Sequence, residues 1–247
     1  MPSLIENPLT ESLLIEEVKQ KKEFRELPDS LIEKVLLLNK NDVKKTRAVL
    51  RKYFTVFITN KLVGGKLSYG EILKKHLSTQ ERDYGSLYKR ILGDEDCIID
   101  LGAGVNGLSV GRIRKKYIAV EAIKYYADLM NKFFSENSVN GAAVWGDLFD
   151  LDKIIKIVKS EKRPAVWMFN IIDALELEKG FSKKMILAIS SYAEKIVLSF
   201  PTRSLKKKRK FSASRQWLLD FIRDNFEVSD NFASDSERFL VIKLNKK

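Results

Sequence analysis

The chain has 247 residues, of which 45% are apolar and 32% are charged, so it can bury a sizeable core. Its single cysteine excludes a disulfide framework and a cysteine-based zinc site. With a single histidine, the chain offers few possible Ser-His-Asp catalytic triads. The net charge of +12 favours a polyanionic partner such as RNA or DNA, although a lysine-rich surface tuned for solubility explains it equally well.

The sequence carries no sign of membrane insertion or export. No apolar run reaches membrane-spanning length, and the start, Met1-Pro-Ser-Leu-Ile-Glu6, lacks the basic-then-apolar pattern of a signal peptide. We therefore expect a cytoplasmic, monomeric protein without membrane contacts.

Residues 1 to about 95 have helical spacing throughout. Asn41 or Asp42 is expected to cap a helix whose apolar stripe runs from Val43 to Ile58. The opposite face of this helix carries the basic residues Lys44, Lys45, Arg47, Arg51 and Lys52. Such a face is either solvated or contacts phosphate, and the surplus of positive charge favours phosphate.

A capping box pattern precedes the last helix of this part. Ser78 and Glu81 have the spacing in which each side chain bonds the other's backbone N–H, which predicts a helix running to about Leu92. Arg82 lies just inside this cap. His76, taken alone, indicates no more than a buried structural histidine.

A glycine-rich loop follows the first predicted strand. The strand at 97–101 leads into Gly102, Gly104 and Gly107, which have the spacing G-x-G-x-x-G. Glycine is required in such loops because the backbone turns tightly and approaches a ligand where a Cβ atom would collide. The next segment, 108–112, can present the free N–H groups of a helix N-terminus. The spacing indicates a nucleotide-cofactor loop.

Two acidic residues decide between the possible cofactors. Asp100 stands two residues before the first glycine, where dinucleotide loops carry an apolar residue because a carboxylate repels the pyrophosphate. S-adenosylmethionine (SAM) has no phosphate and brings an ammonium group, which Asp100 can attract directly or through water. Glu121, about 20 residues beyond the first glycine, stands where an acid binds a ribose in either class. The loop favours SAM over NAD.

From residue 97 onward, strands alternate with helices, which predicts a parallel sheet covered by helices, with a reversed final strand. The predicted strands are 97–101, 117–121, 142–145, 165–170, 195–199 and 238–244. Asp147 follows the third strand, where it can accept from an adenine amino group. Asn170 ends the fourth at the carboxyl edge, where open α/β sheets form their active crevice, although a turn-forming helix cap is a competing interpretation.

The fifth strand leads into a strongly basic stretch. Arg203 is followed by five consecutive basic residues, Lys206, Lys207, Lys208, Arg209 and Lys210. Beside the cofactor crevice such a pentad would neutralise several phosphates, whereas a nuclear import signal and a solvated loop are the alternatives. Its position after a strand of the crevice favours RNA.

Residues 76–82, 100–106 and 199–205 carry three motifs, and these resemble motifs of the 16S ribosomal RNA guanine-N7 methyltransferases that confer aminoglycoside resistance. Residues 199–205, Ser-Phe-Pro-Thr-Arg-Ser-Leu, look like a signature of that family. Residues 76–82, His-Leu-Ser-Thr-Gln-Glu-Arg, resemble its helix start, and residues 100–106, Asp-Leu-Gly-Ala-Gly-Val-Asn, are similar to its cofactor loop. The motifs lie in the family's order, and the resemblance covers nearly the whole chain.

The resemblance implies an α/β class I SAM-dependent methyltransferase fold, Rossmann-like and mostly parallel with a reversed last strand, preceded by a helical N-terminal domain. Residues 1–93 are expected to dock on 16S rRNA in the small ribosomal subunit, and residues 94–247 to bind SAM. It further implies that Arg82 pairs with the methionine carboxylate, Glu121 with the ribose hydroxyls and Asp147 with the adenine.

We assign three predicted roles on this basis. The cofactor-binding residues are His76, Ser78, Arg82, Asp100, Gly102, Ala103, Gly104, Asn106, Glu121, Ala122, Asp147, Leu148 and Asn170. The RNA-binding residues are Lys44, Lys45, Arg47, Arg51, Lys52, Arg203, Lys206, Lys207, Lys208, Arg209 and Lys210. Asn170 and Arg203 are predicted to position the reacting groups, with no general base and no metal.

The predicted chemistry suits a chain poor in histidine and cysteine. Guanine N7 has an in-plane lone pair and no proton, so methyl transfer needs only in-line alignment. In A-form RNA, N7 faces a deep, narrow groove, so the base must be flipped out or the helix opened. Trp145, Phe169 or Phe200 can stack on such a base, although each is equally well a core aromatic.

The chain also departs from the family pattern. Asn106-Gly107 replaces Asn-Pro, Asn170 and Asp173 replace a lysine and a proline, and residues 206–210 replace a glycine-rich basic stretch. Three other functions therefore stay open: SAM-dependent methylation of another RNA site or of tRNA, a non-catalytic RNA-binding or ribosome-assembly protein with a vestigial fold, and an NAD-dependent oxidoreductase. Asp100 and the shortage of proton-transfer groups disfavour the oxidoreductase.

Overall fold

The computed structural model describes residues 8–58, 67–202, 215–234 and 237–245, with side chains from residue 11 onward. The helices are α1 (Pro8–Lys19), α2 (Asp29–Leu38), α3 (Val43–Tyr53), α4 (Tyr69–Lys75), α5 (Tyr84–Ile91), α6 (Lys124–Glu136), α7 (Leu151–Lys159), α8 (Ile172–Leu175), α9 (Phe181–Ser190) and α10 (Gln216–Asn225). The strands are β1 (Cys97–Leu101), β2 (Lys116–Glu121), β3 (Gly141–Trp145), β4 (Pro164–Phe169), β5 (Lys195–Pro201), β6 (Phe226–Ser234) and β7 (Glu237–Leu244).

The strands form one sheet in the order β3-β2-β1-β4-β5-β7-β6. The first five strands are parallel, and β7 is antiparallel to both β5 and β6. This is the class I methyltransferase arrangement, and it confirms the mostly parallel sheet with a reversed last strand. The central strands β1, β4 and β5 are buried along their whole length, which explains why most of their residues are apolar.

Strand β6 was not predicted from the sequence. Its residues Ser229, Asp230 and Asn231 are typical of turns, and the strand contains an irregularity between Val228 and Asp230. It lies at the edge of the sheet and stays partly exposed, so it lacks the apolar pattern of a buried strand.

The cap of α3 is confirmed, whereas the capping box at Ser78 is wrong. Asp42 accepts from the N–H of Lys45 at 2.9 Å. The capping box that the structure contains is at Ser68 and Glu71, at the start of α4. Residues 77–81 form turns, and α5 begins later with Asp83 as its cap. Ser78 is instead within 3.0 Å of the His76 ring, as described below.

The helical part and the sheet share one hydrophobic core. Val18, Phe24 and Leu27 belong to the same buried cluster as Tyr126 of α6 and Trp167 of β4. The part of the chain before residue 93 is therefore packed directly against the sheet. The division into domains at residues 93 and 94 stays a prediction.

Polar contacts fix this packing at the carboxyl edge of the sheet. The Glu26 carbonyl accepts from the N–H of Lys124 at 2.9 Å and from the Trp145 indole at 3.1 Å. The hydroxyl of Tyr126 donates to the carbonyl of Phe57 at 2.6 Å. These bonds hold α2 and the segment after α3 over the strand ends.

Candidate active site

A cleft opens at the carboxyl ends of β1, β2, β3 and β4, with an empty volume of about 770 Å³ including the part open to solvent. Nine predicted cofactor residues line it: His76, Ser78, Gly102, Gly104, Glu121, Ala122, Asp147, Leu148 and Asn170. The helical part also lines it through Leu31, Tyr53, Phe54 and Phe57, which sequence reasoning missed. The apolar stripe predicted for α3 contains these aromatic residues, but an apolar stripe does not indicate whether its residues pack in the core or line a ligand site.

The glycine loop is shaped by backbone conformation at two positions. Gly102 and Gly104 have φ angles of +68° and +57°, in the left-handed region that favours glycine. A Cβ atom on Gly102 would lie 2.5 Å from Cγ2 of Ile171. Gly107 is different, since an added Cβ would lie 2.6 Å from Sδ of Met130, so the third glycine allows packing against α6.

Glu121 closes the loop from the neighbouring strand. Its carboxylate accepts from the N–H of Gly104 at 2.6 Å and from the N–H of Ile123 at 2.8 Å. Burial raises the pKa of Glu121 to about 7. Because the side chain also lines the cleft, it can accept ligand hydroxyls, as predicted for a ribose.

Asp147 joins the opposite end of the cleft to the helical part. One oxygen accepts from the Ser30 hydroxyl at 2.5 Å, and the other from the N–H of Phe149 at 2.5 Å. The carboxylate is buried, and its position is fixed by groups from both sides of the cleft. It retains lone pairs for a ligand N–H donor such as an adenine amino group.

His76 forms part of the cleft wall next to the glycine loop. Its ring stacks on Phe57 at 5.6 Å, and its Nδ1 accepts from the N–H of Ser78 at 3.4 Å. A Cβ atom on Gly104 would lie 3.4 Å from Cε1 of His76. Burial lowers the pKa of His76 to about 3, so the ring is neutral at physiological pH. Among the described residues, Nε2 has no hydrogen-bond partner, so it can donate to a ligand.

Four predicted cofactor residues do not line the cleft: Arg82, Asp100, Ala103 and Asn106. Three of them belong to a buried polar network, which we define as Asp100, Asn106, Arg82, Glu237 and Asn170. The Asn106 amide donates to Asp100 at 2.6 Å and accepts from Nη1 of Arg82 at 3.1 Å. This explains why asparagine stands at position 106, since it bridges an acid and a base.

Arg82 is paired inside the protein. Its Nη2 donates to the two carboxylate oxygens of Glu237 at 2.6 and 2.9 Å, and the Asn170 amide also donates to Glu237. Burial opposes the charge of Arg82, but the Glu237 carboxylate raises the pKa of Arg82 above its ordinary value. Sequence reasoning missed Glu237, because nothing in the start of a final strand signals a contact 155 residues away.

Two atoms of the network have no hydrogen-bond partner among the described residues. They are Oδ1 of Asp100 and Oδ1 of Asn170, both buried. Asp100 accepts through its other oxygen from the Tyr117 hydroxyl at 2.5 Å, and burial raises its pKa to about 6. Buried acceptors are normally satisfied, so these two suit donors such as an ammonium group or water.

Asn170 adopts a left-handed conformation with φ of +58° at the end of β4. Its backbone N–H bonds the carbonyl of Ser199 at 3.1 Å, and its side chain lines the cleft. The structure thus explains its conformation as a turn residue and also brings it into the site. Asp173, the other departure in this region, pairs with Arg215 at 2.7 Å.

The three candidate stacking aromatics have different surroundings. Phe169 lines the cleft and stacks on Trp167 at 5.3 Å. Phe200 is buried in the core under the guanidinium of Arg215, at 5.1 Å. Trp145 is 38% exposed, but its indole is committed to the Glu26 and Ala122 carbonyls. Phe169 is therefore the aromatic placed to contact a ligand in the cleft.

The predicted RNA-binding face of α3 is largely engaged within the chain. Lys45 pairs with Asp42 at 3.3 Å and Arg51 with Glu23 at 2.6 Å. Arg47 donates to the carbonyl of Glu17, and Lys52 donates to the Tyr53 hydroxyl at 2.8 Å. Lys44 is exposed. Phosphate contact by this face stays a prediction.

The basic stretch falls outside the described residues, which stop at 202 and resume at 215. This applies to Arg203, Lys206, Lys207, Lys208, Arg209 and Lys210. Within the part of the chain that the structure describes, no helix is long and apolar enough to cross a membrane. In the same part, no group of three His, Cys, Asp or Glu side chains is arranged to hold a metal ion.

Solved structures with the same fold include 16S rRNA methyltransferases. RmtF, solved in complex with S-adenosyl-L-homocysteine, is 19% identical with a TM-score of 0.77, over 95% of this chain and 98% of its own. RmtB is 19% identical with a TM-score of 0.75, over 97% of this chain and 100% of its own. An rRNA methylase from Escherichia coli is 20% identical with a TM-score of 0.76, over 95% of this chain and 100% of its own. No protein-family model and no curated protein matches the chain.

Proposed function

We propose that the protein transfers a methyl group from SAM to N7 of a guanine in 16S rRNA of the small ribosomal subunit. The observation that carries the proposal is the convergence of Gly104, Glu121 and Asp147 in one cleft of a class I methyltransferase fold. The likeness to 16S rRNA methyltransferases over nearly the whole chain supports the choice of substrate.

The residues of the cleft, together with the buried polar network that reaches the cleft at Asn170, fit SAM. Glu121 would hold the ribose hydroxyls, Asp147 the adenine amino group, and the unpartnered oxygens of Asp100 and Asn170 the ammonium, directly or through water. When bound, SAM supplies a sulfonium-activated methyl group. The carboxylates and the positive-φ loop therefore bind and orient, and no side chain is required to remove a proton.

The single histidine of the site is consistent with a mechanism that uses no general base. His76 is the single histidine, and its depressed pKa leaves it neutral and unable to accept a proton efficiently near pH 7. An N7 lone pair attacks without losing a proton, so alignment supplies the rate enhancement. Phe169, which lines the cleft, would pack against the target base.

The proposal is tested by following the transfer of labelled methyl groups from SAM. The wild-type protein should label small ribosomal subunits and leave tRNA unlabelled. Labelling of tRNA alone would instead support the alternative of another RNA substrate. Absence of SAM binding would support a non-catalytic RNA-binding protein.

SAM affinity is expected to fall as the pH is lowered through 7 and then 6. Burial raises the pKa of Glu121 to about 7 and that of Asp100 to about 6, so both carboxyls take up a proton in this window. Protonation removes the charge that attracts the ammonium and weakens the acceptor for ribose hydroxyls. His76 stays neutral across the window and does not contribute.

Titration calorimetry between about pH 5 and 8 measures this dependence. The control ligand is 5′-methylthioadenosine, which has the ribose and adenine but no ammonium or carboxylate. Its affinity should follow the protonation of Glu121 alone. A SAM affinity that stays constant over this range would contradict the assigned roles of both acids.

A further inference from the structure

A second concavity lies outside the cleft, between α5 and the 3₁₀ helix (Asn106–Arg112) that follows the glycine loop. Its empty volume is about 1080 Å³, including the part open to solvent. Tyr84, Tyr88 and Ser109 line it together with Arg112 and Arg114. We call these five residues the tyrosine–arginine groove.

The positive charge of the groove is uncompensated. The sequence from Arg112 to Lys116 contains four basic residues in five positions. Lys115 lies 4.0 Å from Glu95, and Lys116 pairs with Glu161 at 2.7 Å. Arg112 and Arg114 are both exposed, and neither forms an ion pair with any residue of the described segments. By contrast, the two arginines of α3 bond groups within the chain, Arg51 the Glu23 carboxylate and Arg47 the Glu17 carbonyl.

The tyrosines give the groove a fixed aromatic wall. Tyr88 stacks on the buried Trp167 at 5.5 Å and its hydroxyl bonds that of Ser109. The rings of Tyr84 and Tyr88 lie 5.4 Å apart. Aromatic rings beside cations are the combination that binds single-stranded nucleic acid, since the rings contact sugars and bases while the cations contact phosphates.

The groove begins next to the buried polar network and runs along α5. The guanidinium carbon of Arg82, in the buried polar network, is 5.8 Å from the ring centre of Tyr84. Arg112 and Arg114 directly precede β2, so they lie at the amino edge of the sheet, whereas the cleft lies at the carboxyl edge. With a net charge of +12, the chain favours an anionic occupant for this surface.

We propose that the tyrosine–arginine groove binds the sugar–phosphate backbone of the substrate RNA at a second contact, outside the cleft that takes the target nucleotide. Arg112 and Arg114 each contact a phosphate, and Tyr84 contacts a sugar or base. This inference rests on the proposed function, because it takes the substrate to be RNA.

The test is the affinity for small ribosomal subunits of an Arg112→Gln/Arg114→Gln variant, measured against salt concentration. Loss of two phosphate contacts should make the slope of log affinity against log salt concentration shallower by about 1.4 to 1.8. If the variant and the wild type bind equally at 1 M salt, the variant should bind roughly 25- to 60-fold more weakly at 0.1 M salt. SAM affinity should equal that of the wild type, because neither arginine lines the cleft.

The control is Lys156→Gln/Lys162→Gln, which removes the same charge from exposed positions on α7 and the turn after it. Its slope should equal that of the wild type. Equal slopes for all three proteins, when the wild type binds and methylates subunits, overturn the groove and leave the proposed function intact. A wild type that neither binds nor methylates subunits overturns both.

A photo-crosslinking side chain identifies the occupant directly. Arg114→p-benzoylphenylalanine, irradiated in the complex with subunits, should yield an adduct with 16S rRNA. An adduct with ribosomal protein alone would overturn the proposal, because it would place an acidic protein surface in the groove.

Discussion

Replacing Gly104 by valine is expected to reduce SAM binding below detection in a chain that still folds. Gly104 has a φ angle of +57°, where a β-branched residue is strained by about 1–3 kcal/mol. Its N–H also holds Glu121 at 2.6 Å, so a shift of the loop would release the ribose acceptor. The added side chain would start 3.4 Å from His76 and extend into space that lines the cleft.

The control for backbone strain is Gly180→Val. Gly180 has a φ angle of +80°, and a Cβ atom there meets nothing within 4 Å. It should lose stability like Gly104→Val but keep wild-type SAM affinity. Calorimetry on both proteins, with circular dichroism to establish folding, measures the difference. Unchanged SAM affinity in a folded Gly104→Val protein would show that the loop does not bind the cofactor.

Replacing Arg82 by alanine is expected to weaken SAM binding about tenfold or more and to destabilise the fold. The resemblance pairs Arg82 with the methionine carboxylate, and such a charge-assisted bond contributes about 1.5–3 kcal/mol. The substitution also leaves Glu237 buried without its partner, which costs about 3–5 kcal/mol of the free energy of unfolding.

Two comparisons separate these effects. 5′-Methylthioadenosine lacks the carboxylate, so its affinity should be unaffected by Arg82→Ala if Arg82 acts on that group. Glu237→Gln should tighten SAM binding but not 5′-methylthioadenosine binding, because it frees Arg82 from a competing carboxylate. Equal losses of both ligands in Arg82→Ala would assign Arg82 to the stability of the fold alone.

The parts of the fold that follow from local sequence were predictable. Strand β1 and its loop were predicted because buried apolar residues and glycines at fixed spacing determine the local backbone. Asp42 was predicted as a cap because its short side chain reaches the N–H of Lys45. Ser78 has the same local pattern, yet its hydroxyl lies 3.0 Å from the ring of His76 two residues before it, and Asp83 caps the helix instead.

The rest of the site depends on contacts between residues distant in sequence. Ser30 reaches Asp147, and Glu237 reaches Arg82, across 117 and 155 positions. No periodicity or motif encodes such pairs, because they depend on how helices and strands pack. For the same reason, the sequence predicted Arg82 near the site but not that its charge is already paired.

The most direct test of the account is mass-spectrometric mapping of 16S rRNA from small subunits incubated with the protein and SAM. The account predicts a single modified nucleoside, 7-methylguanosine, which is absent when Gly104→Val replaces the wild-type protein. A methyl group on another base, on another guanine atom or on no nucleotide at all would contradict it.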